Sequence, residues 1–425
     1  MNRWQPFEGN NVILRPYYRR MIEQFNPTRG AALAALAEFV PRAGRAYTLD
    51  RNHDRGPEDR SNVSALSPYL RHRLLTESEV VEAVLQRHSL AAAEKFVQEV
   101  FWRTYWKGWL ELRPEAWRRY RREVETLVPD IGTAEWSNDY ARACEARTGI
   151  ECFDAWVTEL AEFGYLHNHT RMWFASIWIF TLGLPWQLGA DLFYRQLLDG
   201  DAASNTLSWR WVAGLQTAGK TYLARPDNIQ RYTDGRFSPT GLASFAPALA
   251  EPALPPAREL EAAPGLPQGR VGLLLHEEDL HAESLPLGNA IVHAIAGWHR
   301  AADRSPLGCS DSVAAFTSTA VSDGLARASA HFGVDSAPLL ESDASAVLAW
   351  ARESGVTTIV IPFAPVGPVR ERVDGMSAEL ASAGVSLIEA RRQWDSVAWP
   401  HAGRGFFPFR ERIPKLLRGQ GIRTQ

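Results

Sequence analysis

The sequence predicts an all-helical domain followed by an α/β domain with a doubly wound parallel sheet. Three observations support this prediction: helical spacing of apolar residues in the first half, a proline-rich break, and short apolar runs that alternate with helical stretches beyond it. The length of 425 residues suits two or three domains. Apolar residues make up 45% and charged residues 22% of the chain, which excludes disorder, collagen and coiled coil as descriptions of the whole.

In the first half, from about residue 28 to 235, apolar residues recur every three to four positions, which predicts amphipathic helices. The clearest runs are AALAALAEFV, TESEVVEAVLQRH, AAAEKFVQEVFWRTYWKGWLEL, FDAWVTELAEFGYLHNHTRMWFASIWIF and LGADLFYRQLL. Trp outnumbers Tyr by 16 to 11, and most of the Trp lies before residue 220. The apolar stretch from Met172 to Trp186 is shorter than the roughly 20 residues that span a bilayer, so we expect a buried helix there.

A proline-rich segment separates the two halves. Residues 245–269 hold six prolines, which deny the backbone regular hydrogen bonds and indicate a linker. The predicted domains are therefore 1–244, helical, and 270–425, α/β. In the second domain the apolar runs VGLLL, NAIVHAIA and TTIVIPF predict parallel strands. The predicted helices between and after them cover residues 310–331, 344–353 and 368–383.

Charge and cysteine content limit the class of protein. With 46 basic and 49 acidic residues the net charge is −3, which excludes a uniformly basic nucleic-acid coat and leaves room for a local basic groove. The cysteines Cys144, Cys152 and Cys309 form no CxxC pair and are too few for a four-thiolate cluster. The N-terminal segment MNRWQPFEGNN lacks the apolar run of a signal peptide. We therefore expect a cytoplasmic protein.

Three short motifs match known patterns without the context that those patterns need. GLQTAGKT at residues 214–221 fits the phosphate-loop pattern, but SWRWVA before it is a poor strand and YLARPDN after it is a poor helix. A protein that binds a nucleoside triphosphate through this segment is therefore an alternative prediction and not the main one. The HNH of residues 167–169 and the HEEDLH of residues 276–281 lack the further ligands of a metal site, so we expect surface or pocket histidines.

Polar and aromatic side chains share helix faces in the first half. Glu99, Trp102 and Arg103 are spaced so that a carboxylate, an indole and a guanidinium face one way. Asn168 and Met172, one helical turn apart, suit the wall of an amphipathic pocket. Each set, taken alone, is also consistent with core packing or a solvated face.

Further along, two acids and a hydroxyl-rich segment precede predicted helices. Asp199 and Asp201 stand before a helix that carries Asn205 and Trp209 one turn apart. In SNVSALSPYL, hydroxyls precede Pro68 as they do at a helix start, where free N–H groups can bind a diphosphate. Asp199 is also consistent with a simple N-cap.

The order of these motifs resembles the FAD-binding domain of the photolyase and cryptochrome family. LSPYL is followed by ExxWR, then by TGxxxxDA with GYLHNHTRM, and then by LxDGDxxxNxxxWxW, and the resemblance covers roughly residues 28–235. It implies that FAD, bent into a U, lies inside the helical domain. It also implies that a pocket beside the flavin receives a flipped pyrimidine dimer.

The resemblance also implies roles for individual residues around FAD. Contacts to the diphosphate and ribityl fall to Tyr47, Val63, Ser64, Ala65, Leu66 and Ser67, and Arg103 lines the flavin cavity. The ribityl and adenosine side falls to Asp199, Gly200, Asp201 and Arg171, with Arg171 paired to Asp199. Asn205 faces the flavin N5. Trp209 is the nearest electron donor, Trp186 the next, and Trp136 the outermost.

On the DNA side the resemblance implies a lesion pocket. Glu99 hydrogen-bonds a pyrimidine edge, while Trp102 and Trp211 stack on the splayed bases. The remaining DNA contacts fall to Arg51, Arg103, Asn168, His169 and Met172. Because relatives that repair (6-4) lesions have His where this chain has Met172, the cyclobutane dimer is favoured. The arginines of WRRYRRE at residues 117–123 suit either DNA phosphates or a solvated helix face.

The second half resembles the α/β domain that ordinarily precedes the flavin domain. RVGLLLHEEDLHAESLPL resembles its first strand and loop, GVTTIVIPF a later strand, and GRGFFPFRERIPKLL the segment that leads into the usual linker. The chain therefore resembles a circular permutation of the family. His281 and the pair Glu283–Ser284 differ from the family's residues, so the presence of a second, antenna chromophore stays open. The family also has Thr at Val63, Arg at His169 and Gly at Arg73.

Together these observations predict a light-driven DNA repair enzyme that acts as a monomer on UV-damaged DNA, away from membranes. Reduced FAD, excited by light, passes an electron to a cyclobutane pyrimidine dimer, the ring opens and the electron returns. The alternative is a cryptochrome-like photoreceptor that binds FAD and signals without repair.

Overall fold

The computed structural model of the chain describes residues 16–263 and 265–424. The N-terminal segment, for which we predict no signal peptide, lies outside the described residues. As predicted, the first half is helical. Its described α-helices are α1 (Pro16–Gln24), α2 (Arg29–Phe39), α3 (Arg45–Asp50), α4 (Ser67–Arg71), α5 (Glu77–Leu85), α6 (Leu90–Leu112), α7 (Glu115–Leu127), α8 (Ser137–Cys144), α9 (Glu151–Phe163), α10 (Asn168–Ser176), α11 (Trp186–Gln196), α12 (Ala202–Val212) and α13 (Pro226–Tyr232).

Side-chain caps fix where several of these helices begin. Thr76 accepts a hydrogen bond from the Glu79 N–H while the Glu79 carboxylate accepts one from the Thr76 N–H, a capping box at the start of α5. Ser89 caps α6, the long helix of the site, in the same way. At the other end of α9, Gly164 closes the helix with φ +60°, a conformation that glycine adopts readily.

The predicted single helix from Met172 to Trp186 is divided in the structure. α10 ends at Ser176, a π-helical turn follows over Ile177–Thr181, and α11 begins only at Trp186. Gly183 has φ +65° and Pro185 has no N–H to donate, so the helix cannot continue across them. The prediction of one helix is wrong. The π turn places Trp178 among the buried rings described below.

The proline-rich segment has no helix or strand over its described residues 245–263 and 265–267, and it packs on the helical half. The Leu249 N–H donates to the Ala213 carbonyl at 3.0 Å, and the Arg258 N–H donates to the Leu112 carbonyl at 2.9 Å. The buried guanidinium of Arg210 pairs with Glu251. The segment is therefore attached along its length.

The second half contains a four-stranded parallel sheet over the described residues. Its strands are β1 (Gln268–His276), β2 (Asn289–Trp298), β3 (Thr358–Pro362) and β4 (Ser386–Ala390), in the order β2-β1-β3-β4. This order matches the start of a doubly wound fold, as predicted. β4 was not predicted from the sequence, because its run SLIEA is short and includes an acid. In the structure it is only partly buried.

One face of this sheet is covered by α14 (Asp311–Phe332), and the other by α15 (Ala344–Glu353) and α16 (Pro368–Ser382). The remaining helices are α17 (Gln393–Ala398), α18 (Phe406–Arg410) and α19 (Ile413–Gly419), of which α17 and α18 pack against α6. Side chains of β1 alternate between two cores, with Leu273 and Leu275 in the larger cluster and Leu274 in a second cluster with Trp350. The larger cluster also contains residues of the helices in the first half, so the two halves share one hydrophobic core.

Buried charges also join the halves. Arg73 is 4% exposed and forms ion pairs with Glu77 of α5, Asp279 after β1 and Asp395 of α17 at 3.2, 3.0 and 2.7 Å. Its φ is +49°, the left-handed region in which glycine is favoured. Backbone strain at this position is thus held in place by three carboxylates.

Within the described part of the chain, no helix has both the length and the apolar character to cross a membrane.

Candidate functional site

Helix α6 presents one half-buried stripe in an otherwise buried stretch. Between residues 96 and 112, the side chains that keep partial solvent access are Glu99, Trp102, Arg103 and Trp106. Their spacing of three, four and seven residues puts them on one helix face. This face contains the predicted acid, indole and guanidinium, so the structure does bring these three together.

Glu99 lies beside a cation and a buried phenol. Its Oε1 is 4.0 Å from the Nε of Arg51. Removal from water raises the pKa of Glu99, and the charge of Arg51 opposes the rise. Burial raises the pKa of Tyr47 as well, and the charge of Glu99 adds to the effect. The net effect is a pKa of Glu99 above the ordinary value for a glutamate.

Trp102 has a neighbour that the sequence analysis missed. The ring of Phe406 in α18 stacks on it with centroids 3.5 Å apart and planes inclined by 11°. On the same stripe, Trp106 contacts Trp102 at 5.2 Å. No sequence pattern predicts this stack, because the two residues lie about 300 positions apart in opposite halves of the chain.

The loop before α4 forms a backbone cradle. Ala65 has φ +49° and Leu66 follows in the right-handed region, a left-then-right pair that turns successive N–H groups toward one point. Among the described residues, no acceptor bonds the N–H of Ser64, Ala65 or Ser67. Such unpaired N–H groups suit an anion, as a diphosphate contact requires. Val63 precedes them, and its own N–H is bonded to Arg60.

Asp199 connects this cradle to a cation. The Ser67 hydroxyl donates to its Oδ2 at 2.5 Å. The Arg171 guanidinium donates to both carboxylate oxygens at 3.0 and 2.8 Å, so the predicted pair is present in the structure. Burial lowers the pKa of Arg171, but the Asp199 carboxylate outweighs it and the net shift is upward. The two parallel hydrogen bonds make the pair bidentate.

Asp201 caps α12 and carries its own cations. It accepts a hydrogen bond from the Ser204 N–H at 2.9 Å and pairs with Arg103 and Lys107, both at 3.1 Å. Burial opposes ionisation, yet Lys107 and Arg103 hold the pKa of Asp201 well below its usual range. Between the two acids, Gly200 has no room for a side chain, since an added Cβ would lie 2.9 Å from the Arg304 guanidinium.

Asn205 and Trp209 lie one turn apart on α12, both largely buried. The Asn205 Nδ2 donates to the Ala190 carbonyl at 2.7 Å, which fixes the amide orientation and leaves its oxygen outside that bond. The Trp209 Nε1 is buried and has no hydrogen-bond partner among the described residues. The indole nitrogens of Trp156, Trp298 and Trp399 are also buried without a partner among the described residues, so this donor alone does not indicate a bound group.

Aromatic rings connect Trp209 to the protein edge. Ring centroids are separated by 6.3 Å from Trp209 to Trp178, 5.9 Å from Trp178 to Tyr140, and 6.0 Å from Tyr140 to Trp136. Trp136 is half-buried. The sequence analysis missed Trp178 and Tyr140, because helical spacing alone does not distinguish them from other core aromatics.

Trp186 lies elsewhere in the ring network. It is 4% exposed, and its ring contact among the described residues is with Tyr120, at 5.8 Å. Tyr120 in turn contacts Trp117 of α7 at 5.5 Å. The predicted order from Trp209 to Trp186 therefore has no direct ring contact in the described structure.

The predicted lesion contacts of α10 gather at its start. Asn168 is exposed at the first turn, and Met172, one turn on, is half-buried. His169 stacks on Trp173 at 4.4 Å, with its Nδ1 3.1 Å from the Asn52 carbonyl. On α12, Trp211 is half-buried and stacks on Tyr222 at 5.6 Å.

The phosphate-loop match and the arginine-rich run of α7 have structural explanations. Residues 214–221 follow helix α12 through turns and lead into coil, so the strand that a phosphate loop requires is missing from these described residues. In α7, Arg119 pairs with Glu251 and Arg121 donates to the Arg304 carbonyl at 2.9 Å. These two arginines therefore hold the linker and the second half. No group of three His, Cys, Asp or Glu in the described residues is placed to hold a metal ion.

Part of the chain is similar to known proteins. The profile described as the FAD binding domain of DNA photolyase matches residues 96–241. The deoxyribodipyrimidine photo-lyase of Streptomyces griseus is 32% identical over 182 residues, which cover 40% of this chain and 38% of the relative. That of Vibrio cholerae is 29% identical over 215 residues, 49% of this chain and 44% of the relative.

Solved structures give a partial overlap. A bacterial class III photolyase from Agrobacterium tumefaciens is 23% identical, with 51% of this chain and 47% of that chain covered and a TM-score of 0.39. A cryptochrome from Synechocystis is 23% identical, with 50% and 45% covered and a TM-score of 0.41. The chain spans less than half the length of the two curated relatives above. The matched residues 96–241 contain the stripe of α6 and both acids before α12, so this part of the chain is similar to the FAD binding domain of DNA photolyase.

Proposed function

We propose that this chain binds FAD and uses it to repair cyclobutane pyrimidine dimers in DNA under light. The observation that carries the proposal is the cradle at Ser64–Ser67, whose unpaired N–H groups connect through the Ser67 hydroxyl to Asp199 and Arg171. A cluster of free donors fixed by a charged pair suits a diphosphate and its ribityl chain.

The residues of the chain fit this cofactor. The cradle would hold the diphosphate, and Asp199 and Asp201 would accept hydrogen bonds from ribityl and ribose hydroxyls. The fixed Asn205 amide, whose oxygen is outside its bond to Ala190, supports a flavin nearby. When bound, FAD supplies the photochemistry, whereas the protein supplies position and polarity.

The α6 stripe would bind the lesion. A protonated Glu99 can donate a hydrogen bond to a pyrimidine carbonyl, and the pKa rise described above favours that form. Trp102 and Trp211 would contact the splayed bases, and each stack contributes about 1–3 kcal/mol. Asn168, Met172 and Arg51 would complete the wall, and His169 would orient the neighbouring backbone.

Electron supply to the flavin would use the chain of rings that ends at Trp136. The contacts from Trp209 through Trp178 and Tyr140 support this route over the one through Trp186. One electron leaves Trp136, whose indole then releases a proton to water, and an external thiol restores it. Tyr140 would serve as a bridging ring, because burial raises the pKa of its hydroxyl and disfavours loss of the proton.

We also propose that the two halves are circularly permuted relative to ordinary photolyases, with domains at 1–244 and 270–425 on either side of the linker. Residues predicted for an antenna chromophore are engaged within the protein, since His281 bonds to Ser284 at 2.6 Å and Glu283 pairs with Arg327 at 2.5 Å. We therefore propose FAD as the functional chromophore and no antenna at that position. The protein would act as a monomer in the cytoplasm.

A cryptochrome-like photoreceptor is the second candidate, and one observation favours it. Phe406 covers a face of Trp102 that a flipped base would otherwise use. A photoreceptor would bind DNA weakly and without regard to lesions.

One experiment separates the two candidates. The purified protein, loaded with FAD and reduced, is illuminated with an oligonucleotide that contains one thymine cyclobutane dimer, and recovery of absorbance at the base band is measured. Repair in light and none in a dark control supports the proposal. A yellow protein that leaves the dimer intact in light contradicts it and supports the photoreceptor.

A further inference from the structure

The end of the chain runs along helix α6, beside the stripe. Residues 404–418, here called the C-terminal aromatic segment, contain α18 and most of α19. Phe406 stacks on Trp102, and Phe409 contacts Tyr105 at 5.4 Å. Arg410 lines a groove of about 570 Å³ with Glu94 and Gln98 of α6. The segment therefore adjoins the predicted lesion pocket directly.

Phe407 in this segment is 70% exposed. Isolated exposed apolar residues are ordinary on protein surfaces, so exposure alone carries no meaning. This ring, however, lies next in sequence to the one stacked on Trp102, and the guanidinium of Arg410 sits 5.3 Å from its centroid. An aromatic ring with a cation against it is the pattern that binds nucleobases in single-stranded nucleic-acid sites.

The segment is strongly basic. It contains five cations, Arg404, Arg410, Arg412, Lys415 and Arg418, against the single acid Glu411, a local net charge of +4 in a chain of net charge −3. None of the five is paired with a carboxylate of a described residue, whereas Arg73, Arg171 and Arg210 are all paired. Cations that the protein does not neutralise are available to phosphates.

We propose that the C-terminal aromatic segment is a DNA-binding element of the lesion site. Phe407 stacks on a base next to the lesion, and the cations around it contact the phosphates of that strand. Phe406 stacks on one face of Trp102, so the aromatic surface continues from α6 into the segment that carries Phe407. The inference rests on the proposed function, because it assigns the partner of the same site.

The test measures binding of the full chain, loaded with FAD, to fluorescein-labelled duplexes with and without one thymine dimer, by fluorescence anisotropy in the dark. Phe407→Ala should weaken binding of the damaged duplex by about tenfold, as loss of one base stack does. Phe407→Trp should keep the affinity. Ile291→Ala, which removes another exposed apolar side chain in β2, is the matched control and should change nothing.

The cations of the C-terminal aromatic segment are tested by the salt dependence of DNA binding. Arg404→Ala combined with Arg412→Ala should weaken binding to damaged and undamaged duplexes alike, and it should lower the salt dependence by about two phosphate contacts. Arg352→Ala, at an exposed arginine of α15, is its control.

The outcomes separate the two proposals. If the wild-type protein neither prefers damaged DNA nor repairs it, the proposed function fails. If the wild-type protein repairs dimers but the Phe407 and arginine variants bind like their controls, the proposed function stands and this inference is overturned.

Discussion

Asp199 connects the backbone cradle before α4 to helix α10 through three hydrogen bonds. It accepts hydrogen bonds from Ser67 and from two nitrogens of Arg171. Its carboxylate therefore fixes both the loop before α4 and the start of α10. Removal of its charge would release both elements.

Asp199→Asn should reduce FAD content and stability together. Loss of a hydrogen bond to a charged group costs about 1.5–3 kcal/mol, and the remaining Arg171 is left without its partner. Flavin absorbance per protein and the free energy of unfolding in urea measure the two effects. Asp227→Asn is the control, since Asp227 pairs with Arg225 at an exposed site. Full FAD content in Asp199→Asn would show that the cradle does not depend on this acid.

Glu111 gives a pH-dependent prediction at a single residue of α6. Burial raises its pKa from 4.5 to about 7, although the Val366 N–H donates to it at 2.6 Å. The folded state therefore holds this proton more tightly than the unfolded state. The stability that it provides is complete below pH 4.5 and is lost as the pH rises to about 7.

Glu111→Gln should remove that loss. Relative to wild type, its free energy of unfolding should be similar near pH 4.5 and higher above pH 7 by up to about 3 kcal/mol. Denaturant titrations across this pH range make the measurement, with the exposed Glu353→Gln as control. An advantage that is the same at every pH would contradict the assignment of the effect to this proton.

At the scale of elements, the sequence pattern predicted most of the helices and three of the strands. Helical spacing and the acids before α12 are local signals, and a cap was considered at Asp199, whereas the structure has it two residues on, at Asp201. The π turn could not be predicted, because residues 173–179 are all buried and such a run has no polar face to reveal an extra residue in a turn. Trp178 was not predicted, because its role depends on its contact with the ring of Trp209 in α12, which the sequence does not show.

The route through the π turn is testable. Trp178→Phe should slow light-driven reduction of bound flavin by an external thiol by at least an order of magnitude, because phenylalanine is much harder to oxidise than tryptophan. Trp186→Phe, the matched variant, should leave the rate near that of wild type. Flavin absorbance under continuous blue light gives both rates. The opposite ranking would place the route through Trp186 and Tyr120.

At the scale of the whole molecule, contacts between the halves were the part that sequence reasoning could not supply. Phe406 on Trp102 and Asp395 on Arg73 both join residues about 300 positions apart. Neither leaves a periodic signal in the chain. By resemblance, Arg73 stands where the family has glycine, but only the structure shows the three carboxylates that surround it.

Arg73→Gly should destabilise the protein despite relief of the left-handed backbone. Relief is worth about 1 kcal/mol, whereas removal of one partner from a buried ion pair costs about 3–5 kcal/mol. Asp279 keeps Arg392 and Glu77 keeps Arg103, so the unpaired charge is that of Asp395. Addition of Asp395→Ala to Arg73→Gly should recover part of the loss, which urea denaturation would detect. No recovery would mean that the ion pairs are not the cause.

The left-handed conformation at position 73 also bears on how the interface could evolve. Any side chain at that position strains the backbone, whereas glycine there would leave the Asp395 carboxylate buried without its partner. The residues at positions 73 and 395 are therefore expected to change together rather than one at a time.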